Sequence, residues 1–388
     1  MDSRTAYLIL NLLPGIGPTR VRQLVHLLGT PEAVLAAPVE VLAGVPGIGG
    51  KLAGILADWH RHCDPEAEAA LVQRAGVELV TPVDPAYPAL LSRIHDPPLC
   101  LYVRGPVEVL ARLRHGLAIV GSRRTTRYGV TMAETLATAA AYAGWPVISG
   151  LARGIDTVAH EAALAAGGCT AAVIGSGLGY VYPQENIGLA RRIVAAGGVI
   201  LSEFPMMFRP DRRTFPMRNR VISGLCRGTL VVEAGTRSGS LITAAQALEQ
   251  NRLVFAVPGR VDSPQSRGCH ALIKDGAKLV ERFQDIAEEF ATLPGLQSLP
   301  AGLIPPADSG CREEESADEL LQLPGLERKL LSFIDNTDVA IDDLAQAVGE
   351  PVHAVLSALL MLEMRHLVRQ LPGRRVVRVG PGDADNGF

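Results

Sequence analysis

From Gly116 onward the chain alternates short, unbroken apolar runs with helical patterns, and few architectures accept that rhythm. The runs are LAIVGS (117–122), PVISG (146–150), TAAVIGS (170–176), GVILSE (198–203), TLVVEA (229–234) and LVFAVPG (253–259). Ala-rich or amphipathic stretches of roughly ten to fifteen residues separate them, the spacing expected of helices between strands. A strand with no polar alternation is covered on both faces, as in a parallel sheet layered between helices. The expected fold class is therefore α/β, with a doubly wound parallel sheet at its core.

In such a sheet, ligands bind beyond the carboxyl ends of the strands. The first of those loops reads Gly121-Ser122-Arg123-Arg124, and the second Ser149-Gly150-Leu151-Ala152-Arg153-Gly154-Ile155-Asp156. The third gives Gly175-Ser176-Gly177-Leu178-Gly179 and then Tyr182-Pro183; the fourth gives Ser202-Glu203-Phe204 and a loop reaching Arg220. The fifth runs from Glu233 through Thr236-Arg237-Ser238-Gly239-Ser240. Amides and hydroxyls at helix starts form anion-binding concavities. Several on one sheet edge predict an extended phosphate-binding surface.

Within the fourth loop, residues 209–220 carry five arginines and one aspartate, a local charge of +4, with Phe215 among them. Basic side chains follow a phosphate backbone, and an exposed aromatic stacks on an unpaired base. Beside Arg123, Arg124 and Arg127, the pattern favours single-stranded nucleic acid over a solvated face with Phe215 as a core plug. The chain has 4 Lys and 33 Arg. A compositional bias explains that ratio as readily as the suitability of the guanidinium fork for phosphate, so position has to decide. With a net charge of −3, the molecule is no all-over polyanion binder.

The remaining composition narrows the field. There is no GxxxxGK[ST], and Gly175-x-Gly177-x-Gly179 is not GxGxxG, which disfavours a P-loop NTPase and dinucleotide redox chemistry. Cys63, Cys100, Cys169, Cys226, Cys269 and Cys311 are scattered without a CxxC, so no metal, cofactor or disulfide framework is expected. His160, four residues after Asp156, reads as packing at a helix start. The N-terminus lacks the charge and apolar core of a signal peptide, and no apolar run spans a bilayer, predicting a cytoplasmic protein without membrane insertion.

Three further segments flank the sheet region. Residues 1–65 repeat Leu13-Pro14-Gly15-Ile16-Gly17 as Val45-Pro46-Gly47-Ile48-Gly49, each ahead of an apolar helical run, as in a tandem helix-hairpin-helix (SAM-like) domain. Such units contact DNA or proteins. The core is assigned to 66–292, with a Pro-punctuated start, extended or turn-rich rather than helical, around Tyr87-Pro88 and Asp96-Pro97-Pro98. An acidic linker at 293–323 leads to 324–380, where three helical patterns and a hairpin describe a winged helix. Its third helix is mostly apolar, favouring packing or partner binding.

The core resembles the DNA processing protein A family (DprA, also called Smf). The likeness runs through Tyr87-Pro88, Asp96-Pro97-Pro98, Gly121-Ser122-Arg123, Ser149-Gly150-x-Ala152-x-Gly154-Ile155-Asp156, His160 and Tyr182-Pro183. It continues in Ser202-Glu203, Phe215-Pro216-x-Arg218-Asn219-Arg220, Val232-Glu233-Ala234, Ser238-Gly239-Ser240-Leu241-x-Thr243-Ala244, Pro258-Gly259 and Leu272-Ile273-x-x-Gly276-Ala277. This resemblance implies a Rossmann-like core that binds single-stranded DNA, loads the RecA recombinase in natural transformation and recombination, forms a homodimer and performs no catalysis. By motif, Gly121, Ser122, Arg123 and the amides around Gly150 and Gly154 would hold phosphates. Arg212 stands where the family has a basic residue, and Phe215 would stack on a base. Arg218, Asn219 and Arg220 would hold the backbone or shape the loop, with Ser240 and Thr243 completing the pocket. The rival is a nucleotide-hydrolysing enzyme on the same sheet using Glu233 and Asp156; a second is a protein-interaction scaffold.

Overall fold

A computed structural model describes residues 1–291, 325–334, 339–364, 367–371 and 375–378. The chain divides into two compact units, Met1–Leu303 and Ile304–Phe388.

The first unit opens with helices α1 (Ser3–Leu12), α2 (Pro18–Leu28), α3 (Pro31–Ala36), α4 (Val39–Ala43) and α5 (Gly50–Ala57). The repeated pentapeptides are the turns before α2 and α5. Gly15 and Gly47 sit at equivalent places with φ of +76° and +81°, where a side chain would be strained. Arg20 ties the two turns together, its guanidinium donating to the carbonyls of Gly15 (3.0 Å) and Gly47 (3.4 Å). Ile9, Leu10, Leu24, Leu42 and Leu56 give these helices a buried core of their own.

Helix α6 (Pro65–Arg74) leads into nine strands: β1 (Glu78–Val80), β2 (Leu101–Arg104), β3 (Leu117–Val120), β4 (Val147–Ser149), β5 (Thr170–Val173), β6 (Val199–Ser202), β7 (Gly228–Val231), β8 (Leu253–Ala256) and β9 (Lys278–Leu279). Their order is β1-β2-β6-β5-β4-β3-β7-β8-β9. From β6 to β9 neighbours are parallel, with Leu117 of β3 beside Val147 and Gly228; β1 and β2 add an antiparallel edge. Every apolar run of the sequence is a strand. The antiparallel strands flank the Pro-punctuated stretch, which is itself rich in turns; their pairing was not legible.

Between the strands run α7 (Arg127–Tyr142), α8 (Ile155–Ala165), α9 (Ile187–Ala195), α10 (Thr214–Leu225), α11 (Gly239–Glu249), α12 (Arg267–Lys274) and α13 (Phe283–Ala291). Alternate side chains of β3 serve opposite layers. Leu117 and Ile119 join Leu136, Ala140 and Ala159 of α7 and α8, while Ala118 and Val120 join Val221, Leu225 and Ala247 of α10 and α11. The strand order reverses between β3 and β7.

The segments on either side of the expected boundary at residue 65 belong to one compact unit and share contacts. Leu8 of α1 packs in one cluster with Tyr102, Ile174 and Met206. Asn11 donates its amide N–H to the Glu203 carbonyl (3.3 Å) and Arg4 pairs with Asp84 (3.2 Å); just past the boundary, buried Glu68 of α6 accepts the Met206 N–H (2.7 Å).

The second unit contains α14 (Gly325–Phe333), α15 (Ile341–Val348) and α16 (Val352–Met364), with strands β10 (Val339–Ala340), β11 (Val368–Leu371) and β12 (Arg375–Arg378) in the order β10-β12-β11. This is the expected winged helix; its core includes Leu330, Leu344, Leu359 and Val376, while Leu356, Leu360 and Met361 of α16 are exposed. The proposed linker at 293–323 lies outside the described residues. Among the described residues no single helix is long and apolar enough to cross a membrane, and the five described cysteines are free.

Candidate nucleic-acid interface

A cleft of about 230 Å³ opens beyond the carboxyl ends of β3, β4 and β5. Arg123 and Arg124 line it from the first loop; Gly150, Ala152 and Arg153 do so from the second, and Gly175, Tyr182 and Pro183 from the third. Phe215 and Arg218 close it from the first turns of α10. Four separate segments, spread over 96 residues of chain, thus meet at one end of the sheet.

Phe215 is half-buried, and its ring lies against Gly175, where a Cβ would come within 3.0 Å of its Cδ1. The Arg123 guanidinium carbon stands 5.2 Å from the ring centroid, and the Tyr182 ring packs on it at 5.8 Å. Arg123 and Arg124 are exposed, and neither is ion-paired among the described residues. Arg153 differs: both its guanidinium bonds go to Glu185, at 2.5 and 2.8 Å.

Beneath the ring, Arg218 is buried and donates from Nη1 to the carbonyls of Gly150 (2.6 Å) and Val173. A Cβ on Gly150 would lie 2.5 Å from that nitrogen, so only glycine admits the guanidinium here. Burial pulls the Arg218 pKa down to about 10, against the opposing pull of Asp156, and leaves it charged at neutral pH. Asp156 is itself buried, which raises its pKa, while Arg218 and the N–H groups of Ala152 and Gly150 favour its charged form.

Those two hydrogen bonds revise the expected use of the second loop. The Gly150 and Ala152 amides donate to Asp156 Oδ2 at 3.1 and 3.3 Å, so the carboxylate occupies the place assigned to a phosphate. Gly154 instead permits a close crossing. Its φ is +79°, and a Cβ would fall 2.3 Å from the Ser122 carbonyl, which accepts the Ile155 N–H at 3.2 Å. Gly121 meets Ile155 in the same way, and the Ser122 hydroxyl is engaged with the Arg124 backbone at 2.8 and 3.0 Å. These residues shape the turn that presents Arg123 and Arg124.

The charge of +4 counted over 209–220 is also redistributed by the fold. Arg220 is buried against Asp96 (2.9 Å) and Glu203, and Arg213 pairs with Asp211 (3.1 Å), whose pKa it holds down at about 2. Arg212 is exposed and forms no ion pair among the described residues. Asn219 bridges the helices, accepting from Arg218 Nε (3.2 Å) and donating to the Gly239 carbonyl (3.4 Å). Ser240 and Thr243 are buried at the start of α11, with the Ser240 hydroxyl 2.7 Å from that of Ser238, and neither lines the cleft. Tyr182, Arg124 and Arg153 do line it without having been assigned roles; their position in strand-end loops was the available signal.

At the strand reversal between β3 and β7 the strand-end loops are bonded to one another. Buried Glu233 accepts the Thr126 N–H (3.0 Å) and hydroxyl (2.7 Å), and its own carbonyl accepts the Ser122 N–H (2.7 Å). His160 is buried with Nδ1 2.7 Å from the Thr170 hydroxyl, and burial drives its pKa down to about 3. The acid–base pair of the enzymatic alternative is thus bound into the fold at both ends. No His/Cys/Asp/Glu cluster able to hold a metal occurs among the described residues.

Comparison with known proteins agrees with this geometry. Residues 78–291 match the family described as DNA recombination-mediator protein A, residues 314–374 the DprA winged helix domain, and residues 8–56 the SAM-like helix-hairpin-helix tandem. Protein Smf of Escherichia coli is 41% identical over 291 residues, covering 74% of each chain. Protein Smf of Synechocystis is 34% identical over 97% of this chain and 99% of its own. The X-ray structure of DNA processing protein A from Streptococcus pneumoniae superposes with a TM-score of 0.64 at 33% identity, covering 74% of this chain and 98% of that one. With a recombination-mediator core between a helix-hairpin-helix tandem and the matching winged helix, the chain belongs to the DNA recombination-mediator protein A family, DprA/Smf.

Proposed function

We propose that this protein binds single-stranded DNA in the cleft beyond β3–β5 and presents it to the RecA recombinase. The observation that carries the reading is Phe215, a half-exposed ring between the Arg123 guanidinium and Tyr182 at the mouth of a cationic cleft. A single strand can lay an unpaired base on that ring while its phosphates meet Arg123, Arg124 and Arg212; a duplex keeps its bases stacked and out of reach. Presentation to RecA and a part in natural transformation are proposed on the support of membership in the recombination-mediator family. No catalytic step belongs to this reading. A homodimer through the sheet unit is supported by β9, a two-residue edge strand with exposed Leu279, and by half-exposed Leu272 and Ile273 on α12.

Fluorescence anisotropy of a labelled oligothymidine and of a duplex, titrated over salt, tests the binding. Tight, salt-sensitive binding of the single strand in preference to duplex is expected, because neutralised phosphates release counterions. Equal or absent binding overturns the proposal. RecA filament formation on strands coated with a single-strand-binding protein, with and without this chain, tests the later step.

A further inference from the structure

Alongside the cleft stands a second pairing of the kind found at Phe215. The Arg209 guanidinium carbon lies 5.6 Å from the ring centroid of half-buried Tyr180. Tyr180 is two residues from Tyr182, which packs on Phe215; two residues of chain reach at most about 7 Å. The two arginine–aromatic pairs are therefore neighbours on the loop after β5. Backbone bonds fix the second one: the Gly177 and Gly179 N–H groups donate to the carbonyls of Phe208 and Met206, both at 2.9 Å, and the Ser176 hydroxyl donates to the Tyr180 carbonyl at 2.6 Å. Arg209 is exposed and has no ion-pair partner among the described residues.

Such a pair offers both things a nucleotide requires, a π-face for the base and a cation for its phosphate. In the free protein the guanidinium itself rests on the ring. A base that takes the ring face releases the cation toward the backbone, so the empty site keeps its ring covered.

Resting on the single-strand reading above, we propose that the strand runs on from Phe215 to Tyr180, which stacks a further base while Arg209 holds a phosphate beside it. The test is a length series of oligothymidines from about 4 to about 16 nucleotides, measured by anisotropy on the full chain and on Arg209→Ala and Tyr180→Leu. The wild type is expected to gain affinity as the strand lengthens beyond the Phe215 cleft. Both variants should keep wild-type affinity for the shortest strand that binds and lose several-fold for the longer ones. In Arg209→Ala the salt slope on long strands should fall by about 0.7. Wild-type affinity of both variants at every length overturns the proposal. So does an equal loss at every length, since that makes the pair a support of the cleft. Failure of the wild type to bind any strand sinks the parent reading, a result these variants cannot imitate.

Discussion

Two places along the carboxyl edge of this sheet are built in opposite ways. Between β3 and β7, where the strand order reverses and a doubly wound fold ordinarily holds its ligand, the Glu233 carboxylate bonds to Thr126. One strand away, over β3–β5, an aromatic ring and guanidinium groups line a cleft with room for a guest, and the buried Asp156 carboxylate holds two N–H groups of its floor, those of Gly150 and Ala152. Topology marks where the backbone can open; the side chains around it decide which opening stays available. Changes at Glu233 and Asp156 should therefore alter stability, and changes at the rim should alter binding.

The largest effect is expected from Asp156→Ala. It orphans the Gly150 and Ala152 N–H groups and leaves Arg218 buried without its counter-charge, a loss of about 3–5 kcal/mol in urea unfolding. Asp156→Asn, which keeps an acceptor, should lose less. An alanine variant as stable as wild type would show that the floor does not depend on this pair. Glu233→Ala strands the Thr126 N–H and hydroxyl and should cost about 1–3 kcal/mol for each group left unpaired. Its salt slope of strand binding should match wild type; a changed slope would place Glu233 in the binding site after all.

Phe215→Ala should do the reverse, weakening single-strand binding by about 1–3 kcal/mol while leaving the unfolding midpoint of the Asp156 and Glu233 series untouched. Unaltered affinity removes the stacking role. A pH-dependent effect, small near neutrality and growing toward acid, comes from His160, whose folded pKa of about 3 lies below its ordinary 6.5. Between those values the unfolded chain takes up a proton that the folded one refuses. Stability therefore falls as pH drops, by up to about 1.4 kcal/mol per pH unit. His160→Gln should flatten that slope. Asp156 and Glu203, whose pKa values are raised by burial, act with the opposite sign in both proteins, so the difference between the two titrations isolates the histidine. Smallest of all, Arg123→Ala should lower the salt slope for single strands by about 0.7, with little sequence dependence.

The six central strands were legible because burial on both faces writes itself as an unbroken apolar run. Strands β1, β2 and β9 were not: β1 and β9 are short edge strands, and β2 follows directly on the turn-forming Pro97 and Pro98. Arg123 and Phe215 could be picked out as a cation and an aromatic in loops that the fold must bring to one edge. The fate of Arg220 could not, because its partners Asp96 and Glu203 are 124 and 17 residues away in sequence. Charge counted along the chain cannot distinguish an arginine facing solvent from one neutralised inside. The Gly150 amide misled for a related reason: a concavity built for an anion had already found one six residues on, in Asp156.

The tie between the amino-terminal helices and the loop after β6 also bears on how this molecule can be taken apart. The Met206 N–H and the Glu203 carbonyl, whose loop leads on to Arg209 and Phe215, are bonded by Glu68 and Asn11. A fragment cut at residue 66 keeps the first bond and forfeits the second, together with the Leu8 packing on Met206. The helical tandem is thus a buttress, and modules exchanged at that seam between relatives would have to bring their own anchor for the loop that carries the ring.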